Sequence, residues 1–257
     1  MIQSVAARLQ VGWFACEMAL IGGAYVLYEL VRAAAADNVS HAFENAALVV
    51  RTEQGLGIFR ELSVQVSLLS YDALIAFLSV WYFWGHFPLI LACAVWAFYR
   101  HRPEYRFARN GILIAGGLAL IGYVVFPVAP PRLLPGVGFQ DTLQSVFALQ
   151  YKGSKIVNEF AAIPSMHQGF SLIVGVALYR IVKGRKGLAL AVGVPLLMLL
   201  SIVATGNHYF LDAVLGVPVA GAGMLLAARL ERIQPRVSAS VQRRLGIRRT
   251  LLPPVSV

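Results

Sequence analysis

The chain has 257 residues, 58% of them hydrophobic and 13% charged, with a formal net charge of +10. A mean hydropathy of +0.70 argues against a soluble domain and fits an integral membrane protein. The positive charge does not point to nucleic acid, because it lies in clusters that each follow an apolar run, as membrane topology requires. These are Arg100, Arg102, Arg106 and Arg109; Arg180, Lys183, Arg185 and Lys186; and Arg229, Arg232, Arg236, Arg243, Arg244, Arg248 and Arg249.

The first apolar run, residues 11–31, is long, carries Glu17 and Glu29, and has little positive charge before it. It is read as a retained first span, not as a signal peptide cleaved near the alanines at 33–36. Residues 38–62 do not make a span. Phe43, Ala46, Ala47 and Val50 recur at helical spacing among polar residues, which predicts an interfacial amphipathic helix, broken near Gly55 and Gly57.

The region 64–99 is too long for one ordinary span, and it could form either a hairpin or a single broken helix with a kink near residues 85–88. Charge favours the single helix. The loop before it holds three arginines (32, 51, 60) and four acids (37, 44, 53, 61), so it belongs outside, and one crossing then delivers the chain to the arginine cluster inside. Further spans are predicted at 111–126, 166–182, 188–205 and 209–228, with a proline-rich loop at 127–164 and a basic, partly disordered cytoplasmic tail from 229 onward. The fold expected is all-α: six membrane spans plus the interfacial helix. One membrane domain covers 1–231 (its catalytic core about 111–228), followed by a tail at 232–257. Both termini are expected in the cytoplasm, and the oligomeric state is not legible. Cys16 and Cys93 lie inside apolar runs and imply no disulfide or metal site.

Two short strings carry the chemistry: Pro164-Ser165-Met166-His167, and Gly206 to Asp212 with its His208-x-x-x-Asp212 pair. Two crossings separate them, so His167 and His208 should return to one face, here the non-cytoplasmic one. His208 and Asp212, four apart at a helix start, share a side of that helix. The carboxylate can hold one imidazole nitrogen as N–H and leave the other as a lone pair, a competent nucleophile toward phosphorus.

Proline and serine before His167 suit a helix N-terminus, whose free N–H groups and dipole favour phosphate oxygens. Ser165 could add a hydroxyl to that site, or serve only as an N-cap. His167 is placed to give a proton to the leaving oxygen and later take one from the incoming nucleophile. Arg132, in Pro130-Pro131-Arg132, is the first candidate for the fixed cation on the phosphate, with Lys152 and Lys155 as rivals. Tyr209 and Asn207 are candidate substrate contacts, or respectively an interfacial anchor and a helix cap. Glu17, Asp72 and His86 are ionisable groups within apolar runs, read as polar groups that satisfy one another unless they prove functional. Trp81, Tyr82, Phe83 and Trp84 read as lipid-facing or packing aromatics.

These residues resemble the type 2 phosphatidic acid phosphatase superfamily, the lipid phosphate phosphatases, over roughly residues 111–228. Pro164-Ser165-Met166-His167 is similar to the family's second motif, and His208 with Asp212 to the end of its third. The resemblance implies a six-helix bundle in which His208 is the nucleophile, Asp212 its orienting partner and His167 the acid–base. Two elements of the usual pattern are missing: Ile202 follows Ser201 where the family carries arginine, and Val95 stands where a lysine should precede Arg102-Pro103. The branch resembling inositol phosphorylceramide synthases shares these losses together with a Pro-Pro-Arg turn, and its members move a phosphorylated head group between lipids. The expected activity is therefore a metal-independent, cofactor-free lipid phosphatase or head-group phosphotransferase. It would act on a lipid phosphate, an isoprenyl diphosphate or a phospholipid head group, with membrane lipids as its partners. A non-catalytic lipid-binding protein on the same scaffold is the alternative.

Overall fold

The computed structural model describes residues 2–34, 39–147 and 160–244. Among them every predicted apolar run is helical, and the only β pairing is an isolated bridge between Val128 and Ala161. In chain order the helices are α1 (Ile2–Ala34), α2 (Val39–Gly55), α3 (Glu61–Leu69), α4 (Asp72–Val80), α5 (His86–Arg100), α6 (Arg102–Val125), α7 (Thr142–Phe147), α8 (Met166–Val182), α9 (Gly184–Ala204) and α10 (Phe210–Arg244). A π-helical turn, Trp81–Gly85, joins α4 to α5.

Five helical stretches are long and apolar enough to cross a membrane: Phe14–Val31, Asp72–Arg100, Arg102–Val125, Gly184–Ala204 and Phe210–Ile233. The sixth expected span is the shorter apolar helix Met166–Val182. At 17 residues it is about 26 Å long, a little under the hydrocarbon thickness. The region 64–99 contains one long helix and not a hairpin. It runs unbroken over 72–100, and its irregularity is the π turn, a few residues before the expected kink. A second break, at Ser70–Tyr71, detaches α3 and was not foreseen.

The last helix does not stop near residue 228. It continues to Arg244, through a stretch rich in straight-chain arginines, which are good helix formers, and without a glycine before Gly246. Residues 245–257 of the expected tail lie outside the described residues.

Glycine lets the central helices approach closely. A Cβ on Gly223 of α10 would sit 2.6 Å from the Gly111 carbonyl of α6, and one on Gly175 of α8 would sit 3.0 Å from the Ala191 carbonyl of α9. The helix α1 docks on α6 through a polar clasp. Glu17, 5% exposed, accepts a 3.0 Å bond from the Tyr105 hydroxyl and pairs with Arg109, so its role within the apolar run is structural.

The basic clusters share one end of the bundle. There the Arg180 guanidinium lies 4.1 Å from the centre of the Phe107 ring and 4.0 Å from Glu231, linking α8, α6 and α10. His167 and His208 sit at the opposite end, at the starts of α8 and α10.

The amphipathic helix is present as α2, but its buried face differs from the expected one. Ala42, Ala46, Val49 and Glu53 are buried, whereas Ala47 is exposed. This face packs on Val128, Ala129, Ala162, Ile163 and Tyr209. The stripe is protein-facing, and small alanines outrank Phe43 on it because they let the helix lie close to the 127–134 segment.

Candidate active site

The site begins with the way α9 ends. Gly206, at φ +65°, takes the left-handed position after the helix. Its N–H bonds to the Val203 carbonyl at 3.0 Å, and the Asn207 N–H bonds to the Ile202 carbonyl at 3.0 Å. This is a Schellman closure. It reverses the chain within a few residues and delivers His208 directly to the start of α10.

Asp212, fully buried, reaches back from the first turn of α10 and accepts the Tyr209 N–H at 3.0 Å, the N3-to-N-cap half of a capping box. The same oxygen lies 3.1 Å from His208 Nδ1, and the Ala162 carbonyl lies 3.1 Å from that nitrogen too. Both partners are acceptors. Neutral His208 therefore keeps its proton on Nδ1, and Nε2 carries the lone pair.

Two further carboxyl groups, from the N-terminal region, complete the α10 N-terminus. Glu61 accepts the Phe210 N–H at 2.8 Å and Glu53 accepts the Leu211 N–H at 2.7 Å; both side chains are fully buried. The first N–H groups of α10 are thus occupied by protein oxygens and are not an anion site. Gln65, also buried, ties this corner together by donating to the carbonyls of Gln140 (3.1 Å) and Ala204 (3.0 Å).

Burial, with the neighbouring Glu61 carboxyl, pushes Glu53 up to about 9 from its ordinary 4.5. Folding therefore takes up a proton at neutral pH. The contribution of Glu53 to stability is fully present below the ordinary carboxyl value and is lost along a falling slope as pH rises through about 9. Glu53→Gln keeps an oxygen for the Leu211 N–H and should remove most of that slope. Melting temperatures in detergent between pH 5 and 9 test this, and an unchanged slope would exclude Glu53 as its source.

His167 enters from α8. Ser165 caps that helix, its hydroxyl accepting the Gln168 N–H at 3.4 Å, while its own N–H donates to the Asp212 carbonyl at 3.0 Å. The backbone bond locks the two motifs to each other. It also requires Gly216 of α10, where a Cβ would lie 2.4 Å from the Ser165 carbonyl oxygen. Gly216→Ala should cost about 1–3 kcal/mol through overpacking. It should also depress activity beyond its effect on folding, because it pushes Ser165 away from Asp212. Melting and turnover of one preparation check both.

The centre of the His167 ring lies 5.6 Å from that of His208. His208 is 4% exposed, and His167 is the more open of the two. Tyr82, His86 and Phe87 surround His167 at 4.5, 5.3 and 5.8 Å between ring centres. The aromatics expected only to pack or face lipid thus include a wall of the site. No local motif signals it, because the π turn that presents it has no sequence signature in this chain.

Arg132 is brought to the segment that leads into His208: its N–H donates to the Gly206 carbonyl at 2.8 Å, and its guanidinium Nε lies 3.4 Å from the Asp141 carboxylate. Lys152 and Lys155 lie outside the described residues. The Tyr209 and Asn207 side chains, candidate substrate contacts, both turn into the protein. Tyr209 is completely buried and donates its hydroxyl to the Ala129 carbonyl at 2.9 Å. Asn207 closes α9 instead of capping α10, its amide donating to Thr205 Oγ1 at 2.8 Å. Ile202, at the position where the resemblance expects arginine, is fully buried among apolar side chains. Arg102 begins α6, some 36 Å along that helix from the end nearest the histidines. Among the described residues no cluster of three or more histidine, cysteine or acidic side chains is arranged to hold a metal ion.

No curated protein and no solved structure matches the chain. The family model described as the PAP2 superfamily matches residues 47–226, which takes in both histidine motifs and all three carboxyl groups at the start of α10. The chain belongs to the PAP2 superfamily, whose members are generally phosphatases, and this membership supports a phosphatase-type lipid function.

Proposed function

We propose that this protein is a metal-independent lipid phosphatase or head-group phosphotransferase working through a phosphohistidine on His208. The observation that carries the reading is the pair of acceptors on His208 Nδ1, which directs the lone pair to Nε2 beside His167. In the first step Nε2 attacks phosphorus. The P–O bond to the lipid breaks, its electron pair leaves with the oxygen, and His167 supplies that oxygen's proton. In the second step His167 takes a proton from water or an alcohol, whose oxygen attacks phosphorus and releases Nε2.

The phosphate oxygens have two sources of positive potential. One is the N-terminus of α8, and the other is Arg132, held close by its bond to Gly206. Lys152 and Lys155 remain candidates for the same task. The substrate proposed is a lipid phosphomonoester, an isoprenyl diphosphate or a phospholipid head group, with its tail entering sideways from the membrane. Water as acceptor makes the protein a phosphatase. A hydroxyl-bearing lipid or polyol makes it a transferase, the reaction of the branch resembling inositol phosphorylceramide synthases.

The six apolar helices and the arginine-rich end opposite the histidines support a topology with both termini in the cytoplasm and the histidines toward the other side. Incubating purified protein with a panel of lipid phosphates, with and without alcohol acceptors and chelator, tests the reading. It expects chelator-insensitive release of phosphate or formation of new phosphodiesters, and absence of both across the panel would overturn it.

A further inference from the structure

His86 takes no part in the mechanism above, yet it is 1% exposed in the middle of a long apolar helix. An ionisable side chain at such a depth needs a reason. Its Nδ1 lies 3.4 Å from the Ser171 hydroxyl, and its Nε2 is buried without a hydrogen-bond partner. Ser171 is four residues after His167, so one face of α8 holds both the acid–base and the anchor of the second imidazole. The His167 ring has two imidazole neighbours, His86 at 5.3 Å and His208 at 5.6 Å between ring centres.

The backbone is built for this arrangement. The π turn Trp81–Gly85 ends at His86, and the widened helix turns both Tyr82 and His86 toward His167. Such turns are rare and are frequent at functional sites. Gly85 makes room for it, since a Cβ there would meet the Trp81 ring at 2.8 Å.

Building on the proposed phosphohistidine mechanism, we propose that His86 is a positioning residue for the leaving-group proton, holding the His167 ring and offering its buried Nε2 lone pair to the His167 imidazolium. With Nδ1–H donated to Ser171, Nε2 is an acceptor. His167 begins the first step with two N–H groups. One proton passes to the departing oxygen as the P–O bond breaks and the His208 Nε2–P bond forms. The other is the one that His86 Nε2, unpartnered in this structure, accepts as a hydrogen bond once His167 is charged. His167 ends the step neutral, and His86 gains and loses no proton.

The test compares two leaving groups on the full-length protein in lipid nanodiscs. An alkyl lipid phosphate needs its leaving oxygen protonated, whereas p-nitrophenyl phosphate releases a stable phenolate. His86→Phe should lower kcat for the alkyl substrate by about tenfold, a share of the usual general-acid contribution. KM should stay within about twofold, and p-nitrophenyl phosphate turnover should be nearly unchanged. Ser171→Ala should give a smaller loss with the same leaving-group dependence, and no additional loss in the His86→Phe background. Equal losses on both substrates, or no loss on either, would overturn the proposal. If His86→Phe does not fold, His86→Gln and Ser171→Ala decide by the same comparison. His208→Ala runs alongside: turnover surviving there would sink the phosphohistidine reading itself, whereas its loss together with leaving-group-independent effects at His86 would sink only the role given to His86.

Discussion

His208→Ala should abolish turnover on lipid phosphates, at least about 10³–10⁴-fold below wild type, with no comparable loss of folding. The expectation follows from what each atom of the ring does. Nδ1 is fixed between Asp212 and Ala162, which leaves the Nε2 lone pair beside His167 on a ring that a buried carboxylate supports. Removing the ring removes a bond-forming partner, whereas a lost general acid typically costs about 10²–10⁴-fold.

His167 variants should behave differently. On the proposed mechanism His167→Ala should slow formation of the phosphoenzyme when the leaving group is an alkoxide, and should also slow breakdown, because the same imidazole would deprotonate the incoming hydroxyl. Rapid quench with a ³²P-labelled substrate should therefore find acid-labile label on the wild-type protein. With a good leaving group, more label should accumulate on His167→Ala, and none should appear on His208→Ala. Label retained by His208→Ala would end the proposal. Full phosphate release by His208→Ala would end it as well.

Much of this site was legible because its geometry is local. His208 and Asp212 are one helical turn apart, so their meeting follows from sequence spacing, and Ser165 as N-cap follows from its place before an apolar run. The convergence of the two motifs was also legible, since two crossings return a chain to one face. The carboxyl groups of Glu53 and Glu61 were not. They lie in the segment read as an interfacial helix and the break after it, and reach the N-terminus of α10 across more than a hundred residues of sequence. Glu53 does continue the row of Ala42, Ala46 and Val49, but that row is made of small residues, and a hydrophobic count follows Phe43 and Val50 instead. The π turn was invisible for a different reason. Its consequence, three side chains around His167, depends on a change in helical register that the apolar run 72–100 does not signal.

Asp212→Asn carries the second largest expected effect, about 10²–10³-fold in kcat, and here two influences on His208 compete. The amide keeps the size of the carboxylate, and its oxygen can still accept the Tyr209 N–H, so the start of α10 survives. Its NH₂ group is a donor and would draw His208 toward the tautomer with the lone pair on Nδ1, leaving N–H on Nε2 where the nucleophile is needed. The analogous change in a serine protease triad costs about 10⁴-fold for this reason. The Ala162 carbonyl opposes the switch, since it also lies 3.1 Å from Nδ1 and accepts from it. It retains part of the correct tautomer, which is why the expected loss is smaller. What it cannot replace is the buried negative charge that stabilises the positive charge His208 acquires when it bonds to phosphorus. The loss should therefore fall on kcat and on the labelling rate, with KM little changed. A variant that keeps wild-type labelling would mean that the Ala162 carbonyl alone orients His208 and that Asp212 serves only to cap α10.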